Sequence, residues 1–262
     1  MLVIPTGSLI QILIGRAKCD SSFANMKMSI SAKSVAGLGL FIAAAFLLEA
    51  GAEHQFEAIR LRTGRFEYRM VKAGKEIAKF NLTVEKAAGE NFRFAGEAVG
   101  FSQKWESIAT PMFHPVSATL RMQLKDGKMY SMTLKYADGS VTGSEQKESS
   151  SPNKIDNHVP PGTVDQRIDW AAAMSNGLVV GDKFHFTVFD PATGVSQVPG
   201  EVAGDERIIV PAGTFDTVRI IYQIEKSKGT ERYEVLATKA LPRMMIREDF
   251  PNGTSSELVG NE

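Results

Sequence analysis

Apolar and polar residues alternate along most of the chain beyond residue 60. Successive side chains of a β-strand point to opposite faces, so this alternation predicts strands with one buried and one solvent-facing side. Asp126-Gly127 and Asp138-Gly139 separate such runs and are typical of tight hairpin turns. The chain is therefore expected to be mainly β, with antiparallel neighbours. The clearest apolar sets are Phe66, Tyr68 and Met70; Ala78, Phe80, Leu82 and Val84; Ala118, Leu120, Met122 and Leu124; and Tyr130, Met132, Leu134 and Tyr136.

The order of these runs predicts a single sheet. The sequence suggests about ten strands, without the regular alternation of strands and helices that marks a parallel sheet. An antiparallel sheet of this size should curl strongly and form a barrel-like meander. Between residues 144 and 162, Ser, Pro and charged residues replace the alternation. We expect an exposed loop there.

One substantial helix is predicted directly after that loop. Thr163-Val164-Asp165-Gln166 has the order of a capping box, in which the Thr hydroxyl and the Gln side chain bond free amides of the first turn. Gly177 has the residue type that commonly ends a helix. Trp170 and Met174 would lie one turn apart on this helix. At the mouth of a curled sheet, the pair could contact a bound molecule.

Residues 26–52 have the organisation of a secretory signal peptide. Lys27 and Lys33 precede an apolar run of 14 residues at 35–48, and Ala50-Gly51-Ala52 supplies the small residues that signal peptidase requires. As a helix the run would extend about 21 Å, which is short of the roughly 30 Å hydrocarbon core of a bilayer. We therefore expect cleavage after Ala52, a periplasmic protein, and no transmembrane segment after processing.

The predicted organisation is an N-terminal extension with signal peptide at 1–52, which is removed, and a single β-rich domain at 53–262. The signal begins unusually far from Met1. Initiation at Met26 or Met28 would give a signal of ordinary length, whereas initiation at Met1 would give a long extension.

Composition narrows the range of functions. The chain has 30 basic and 30 acidic residues and a formal net charge of zero, so no nucleic-acid partner is expected. A single cysteine and four histidines provide no zinc-finger or disulfide spacing. Neither a phosphate loop nor a dinucleotide fingerprint is found. We expect no metal and no cofactor.

The segment Val210-Pro211-Ala212-Gly213-Thr214-Phe215 resembles a turn motif of an uncharacterised family of secreted or periplasmic bacterial domains. In that family the motif joins two late strands, and a strand with a proline follows, as at Ala240-Leu241-Pro242 here. The resemblance extends over residues 60–260 and includes Gly181-Asp182. It implies a periplasmic, barrel-like fold, and because the family is a domain of unknown function, it identifies no catalytic residues.

Trp105, Trp170 and Met174 are the candidate ligand-binding residues. Indole rings often line ligand sites, but they cover hydrophobic cores more often. No nucleophile, base and orienting group occur together at a familiar spacing, which favours a non-catalytic role. Asp156-Asn157-His158 offers two potential metal ligands without a third.

Two functional hypotheses follow. In the first, the exported domain binds a lipid or another apolar small molecule inside the curled sheet. In the second, it is a structural or protein-interaction component of the cell envelope with a packed core and an envelope protein as partner. Alternation alone cannot distinguish a filled interior from a hollow one.

Overall fold

The computed structural model describes residues 56–99, 102–137, 139–226 and 229–262. The predicted signal peptide, its cleavage site after Ala52 and the three candidate start residues lie outside these ranges. No helix in the described ranges is both long and apolar enough to cross a bilayer.

Within these ranges the protein has fifteen strands, one α-helix and three short 3-10 turns. The strands are β1 (Gly64–Lys72), β2 (Lys75–Lys86), β3 (Phe92–Val99), β4 (Gln103–Ala109), β5 (Pro115–Gln123), β6 (Met129–Ala137), β7 (Ser140–Lys147), β8 (Asn153–His158), β9 (Thr163–Asp165), β10 (Lys183–Asp190), β11 (Gly194–Val210), β12 (Gly213–Lys226), β13 (Gly229–Thr238), β14 (Met245–Asp249) and β15 (Thr254–Asn261). The α-helix, α1, is Asp169–Met174, and the 3-10 turns are Ala58–Arg60, Ala88–Glu90 and Gln166–Ile168.

All fifteen strands form one sheet, in the order β8 to β1 followed by β15 to β9. Neighbours are antiparallel except for β9 and β10, which are parallel. The two halves of the chain meet where β1 pairs with β15, with Phe66 opposite Asn261. The outermost strands β8 and β9 do not pair with each other, so the sheet is open. The expected mainly β, antiparallel, barrel-like meander is confirmed, with fifteen strands in the described ranges where the sequence suggested about ten.

Alternation places the core on one face of the sheet. In β2, Phe80, Leu82 and Val84 are buried, and the residues between them face the other side. The same pattern repeats in β12, where Tyr222 and Ile224 are buried. Gly213 begins β12 with a φ of 133°, in the region that favours glycine, directly after the tight Pro211-Ala212 turn.

The sheet curls until its β9 end lies against the inner face of its other half. The Ser107 hydroxyl on β4 donates a 3.1 Å hydrogen bond to Asp165 of β9. Tyr136 of β6 contacts Phe189 of β10 edge to face, with 6.3 Å between ring centroids. Side-chain contacts, rather than a strand ladder, therefore bring the two ends of the open sheet together.

The segment inside the curl is residues 163–176, which comprise β9, the third 3-10 turn and α1. All fourteen of these residues are buried. The first three residues form the last strand of the sheet, and the helix that follows them packs inside its curl. We call residues 163–176 the internal segment.

The predicted helix exists, but its predicted start is wrong. Thr163–Asp165 is extended because Val164 pairs with Val188 of β10, which gives its backbone partners in the sheet. The Thr163 hydroxyl donates to the carbonyl of Pro160 instead of capping a helix. Asp165 accepts from the amide of Arg167 and so caps the 3-10 turn.

The predicted loop at 144–162 is also corrected. β7 continues to Lys147 and β8 spans Asn153–His158, which leaves only short connections. Apolar alternation is absent because β8 is an edge strand in which only Ile155 is buried. Backbone hydrogen bonds to β7, rather than burial of its side chains, keep this strand in the sheet.

Candidate functional site

The predicted site residues Trp170 and Met174 lie on the internal segment. Trp170 is 2% exposed, and its indole NH donates a 3.2 Å hydrogen bond to the carbonyl of Arg167. Its ring meets Phe94 of β3 edge to face at 6.3 Å. Met174 is equally buried at the end of α1. Both side chains are part of the packed interior.

Trp105 lies on the inner face of β4, opposite Gly96 of β3. A Cβ built on Gly96 would overlap the indole and come within 2.7 Å of Cζ of Phe80. Trp105 therefore packs on Gly96, and Trp170 packs on Phe94, of the same strand β3. The structure brings the two indoles to one wall of the interior, and a ligand contact for either remains a prediction.

The internal segment carries a buried ion-pair network that the sequence analysis did not identify. Arg167 lies 2.6 Å from Asp165 and 3.8 Å from Asp190, and all three side chains are at most 5% exposed. Burial opposes the charged form of Arg167, but Asp165, Tyr136 and Asp190 raise its pKa above the usual value. Burial also raises the pKa of Asp190, against the opposite effect of Arg167. The network joins β9, the following turn and the end of β10.

Arg243 holds the other end of the internal segment. Its guanidinium donates to the carbonyls of Met174 at 2.8 Å, of Asn176, and of Gly177 at 3.3 Å. These carbonyls lie at the end of α1, where helical hydrogen bonding leaves acceptors free and a cation is favourable. Burial, followed by the nearby charge of Arg60, lowers the pKa of Arg243 to about 10.

A buried acidic pair lies beside the helix. Glu248 of β14 is 0% exposed and close enough to Asp169 for their charges to interact. Asp169 accepts a 3.3 Å hydrogen bond from the hydroxyl of Tyr222. Burial raises the pKa of Glu248 well above its usual value, and the charges of Asp169 and Asp249 add to this, while Tyr222 opposes it. Glu248 thus holds its proton more tightly in the folded protein than in the unfolded chain.

Stability should therefore fall as the pH rises, and Glu248→Gln should remove much of this fall. At a pH below the usual pKa of 4.5, Glu248 is protonated in both the folded protein and the unfolded chain, and it lowers the free energy of unfolding least. As the pH rises from there to the raised folded pKa, the free energy of unfolding decreases by up to about 1.4 kcal/mol per pH unit. Urea unfolding between pH 5 and 9 measures this slope.

The matched control is Glu225→Gln, which changes an exposed carboxyl on the neighbouring part of the sheet. It should leave the slope unchanged. If Glu248→Gln also left the slope unchanged, burial of a tightly held proton at Glu248 would be contradicted.

A hollow of about 500 Å³ lies on strands β2 to β6. Four of its five charged side chains pair within the hollow: Arg93 with Glu106 at 2.6 Å, and Lys104 with Glu97 at 2.8 Å. Trp105 is among the lining residues, although its indole is buried. The hollow is a polar, largely self-paired surface. Its lining is Asn81, Thr83, Arg93, Ala95, Gly96, Glu97, Lys104, Trp105, Glu106, Thr119, Leu120, Arg121, Ser131, Met132 and Thr133.

In the part of the chain that the structure describes, no group of three or more His, Cys, Asp or Glu side chains is arranged to hold a metal ion. Asp156 of the Asp156-Asn157-His158 motif forms a 2.7 Å ion pair with Lys154 on the exposed edge strand. This motif is therefore part of a solvated strand edge.

Sequence reasoning missed the charged residues of the interior, although one signal was present. Glu248 has the same phase as Ile246 and Phe250, which the alternation places on the inner face. A carboxyl at an inward position is unusual and marks a buried polar group. Arg167 and Arg243 carry no comparable signal, because neither lies in an alternating run.

The fold resembles that of one solved bacterial protein, and two further solved structures are similar at lower TM-scores. A β-barrel-like protein of the domain of unknown function DUF1849 from Brucella abortus superimposes with a TM-score of 0.50 at 13% identity, covering 78% of this chain and 98% of that chain. A candidate exported protein with a YmcC-like fold from Bacteroides fragilis has a TM-score of 0.32 at 13% identity, with 77% and 97% covered. A candidate lipoprotein from Parabacteroides distasonis has a TM-score of 0.33 at 14% identity, with 79% and 99% covered.

No curated protein matches the sequence. The model of one family, described as protein of unknown function DUF3108, matches residues 63–258, nearly the range that the V-P-A-G-T-F motif indicated. The predicted membership of an uncharacterised domain family is confirmed, and the chain belongs to the DUF3108 family.

Proposed function

We propose that this domain is a non-catalytic interaction module of the bacterial cell envelope, with a packed interior and a binding role for its outer surface. The signal-peptide pattern that ends at Ala52 supports a periplasmic location. In this proposal the sheet is a rigid support, and residues on the outer surface of the domain bind the partner.

The observation that carries this proposal is the burial of all fourteen residues of the internal segment. In an antiparallel barrel that holds a ligand, side chains line a central volume. Here the protein's own helix and strand take the corresponding place, and Trp170 packs on Phe94.

The internal segment is also fixed at both ends by buried charges. Removing it from the curl would separate Arg167 from Asp165 and would free Arg243 from the carbonyls at the end of α1. A buried charge that loses its partner typically costs several kcal/mol. These contacts favour a segment that stays in place.

The competing proposal is an apolar small molecule or lipid held by Trp105, Trp170 and Met174. It requires either room beside the internal segment or displacement of that segment. The experiment below therefore asks whether the protein carries a ligand when it is isolated from its host.

Native mass spectrometry of the gently purified protein, followed by lipid extraction, tests the proposal. We expect a polypeptide that begins at Glu53 and carries no additional mass. Trp170→Phe, which keeps an aromatic ring in the interior, serves as the variant. A reproducible apolar mass that Trp170→Phe reduces would overturn the packed-interior proposal in favour of ligand binding.

A further inference from the structure

The antiparallel meander places successive connections at alternating ends of the sheet. One end contains residues 58–63 before β1, 110–114 between β4 and β5, 177–182 before β10, 211–212 between β11 and β12, and 239–244 between β13 and β14. We call this the entry end, because the described chain enters the domain there at Phe56.

Exposed large apolar side chains are concentrated at the entry end. In the described ranges nine such residues are exposed, and only Val99 and Val195 lie at the opposite end. The largest exposed fractions among the entry-end connections are 67% for Ile59, 63% for Val179 and 60% for Leu241. The seven at the entry end are Ile59, Met112, Val116, Val179, Val180, Ile209 and Leu241.

Backbone hydrogen bonds tie several of these connections together. The amide of Ala58 donates to Pro111 at 2.7 Å, which places Ile59 beside the turn that carries Met112. The amide of Arg243 donates to Arg60 at 2.7 Å, and its guanidinium reaches Gly177. Segments with Ile59, Met112, Leu241 and Val179 are therefore neighbours on one surface.

Two of the exposed tips are held by strained, inward-facing residues. Phe113 has a φ of 60°, is 0% exposed and stacks on Phe94, directly after exposed Met112. Leu178 has a φ of 53° and packs against the core, directly before exposed Val179. Left-handed backbone at a non-glycine residue persists only where the surroundings enforce it. The apolar tips are thus fixed in outward positions.

The chain outside the structure indicates what this surface meets. The apolar run at 35–48 ends only seven residues before Phe56, which at full extension is a reach of about 25 Å. If that run lies in the membrane during export, as its signal-peptide pattern predicts, the entry end is held within this distance of the bilayer until the chain is cleaved after Ala52. Exposed Arg62 and partly exposed Arg60 lie beside Ile59, and basic side chains next to apolar tips are typical of protein surfaces that insert into the lipid headgroup region.

We propose that the entry end docks on the surface of a lipid bilayer. This inference rests on the proposed function, since it names the partner of the outer surface. The exposed apolar side chains come from separate loops and do not form a groove. Such side chains can each insert into the disordered boundary between lipid headgroups and acyl chains.

Vesicle flotation of the processed protein purified from its host tests the docking. The vesicles contain phosphatidylethanolamine and phosphatidylglycerol. The Ile59→Ser/Leu241→Ser variant should bind about tenfold more weakly than the unaltered protein, because two apolar anchors are lost. The matched control is Val99→Ser/Val195→Ser, which removes the exposed side chains of the opposite end and should float normally. Circular dichroism confirms that both variants are folded.

Absence of flotation, or equal loss in both double variants, overturns the docking. A protein that fails to float but carries no ligand leaves the proposed function standing. A bound apolar mass that Trp170→Phe reduces in the native spectrum overturns the proposed function whatever the vesicles show.

Discussion

Arg167→Met is expected to lower the free energy of unfolding by about 3–5 kcal/mol, a large share of the roughly 5–15 kcal/mol by which domains are typically stable. The substitution keeps most of the side-chain volume but removes the charge that faces Asp165 and Asp190, both buried. Asp165 and Asp190 would then both lose the guanidinium that pairs with them in the interior. Urea unfolding followed by tryptophan fluorescence measures the loss, since Trp105 and Trp170 are both buried.

Arg69→Met is the matched control for this experiment. Arg69 bonds Glu257 at 2.8 Å, but on the outer face with 38% of its side chain exposed. Exposed ion pairs contribute little, so a change below about 1 kcal/mol is expected. Asp165→Asn should recover part of the loss when combined with Arg167→Met, because it removes one of the unpaired charges. Equal stability of the two Arg→Met variants would show that the network does not hold the internal segment.

Gly96→Ala is expected to destabilise the domain by about 1–3 kcal/mol, although Ala has the higher strand preference. The added methyl group would overlap the indole of Trp105 and lie 2.7 Å from Cζ of Phe80. Both rings are buried, so neither can move into solvent. Thermal unfolding of the variant measures the effect.

Gly260→Ala provides the comparison in the same sheet. A Cβ at Gly260 of β15 would meet nothing within 4 Å, and its backbone needs no glycine. We expect this variant to be as stable as the unaltered protein or slightly more stable. If Gly96→Ala behaved the same way, the close contact between Trp105 and β3 would not be a feature of the folded protein.

Much of the fold could be predicted because it depends on alternation. Phe80, Leu82 and Val84 face inward as expected, and the turn at Gly213 joins two strands as the family motif suggested. Such features are local, since they follow from strand geometry and from the backbone freedom of glycine. Edge strand β8 was missed because pairing with β7, and not burial, holds it in the sheet.

The site was less predictable because it depends on contacts between distant segments. Trp170 was expected at the mouth of the sheet, yet its neighbours are Phe94 and the carbonyl of Arg167 inside it. The partner of Arg167 at the end of β10, Asp190, is 23 residues away in sequence. The alternation of apolar and polar residues does not show which strands will surround a segment. The filled interior therefore becomes apparent only in the three-dimensional structure.

The pairing of the first strand with the last has a consequence for how the chain is connected. Arg65 and Glu262 exchange backbone hydrogen bonds of 3.3 and 2.9 Å, so the two ends of the domain are neighbours. If residues 63 and 262 were linked and the chain were opened at 159–162, between β8 and β9, the strands would follow one another from β9 through β15 and β1 to β8. The present connectivity is thus a circular permutation of a sheet in which each strand pairs with the next strand along the chain. In that permuted order, the internal segment would be the N-terminal segment, around which the rest of the sheet is wound.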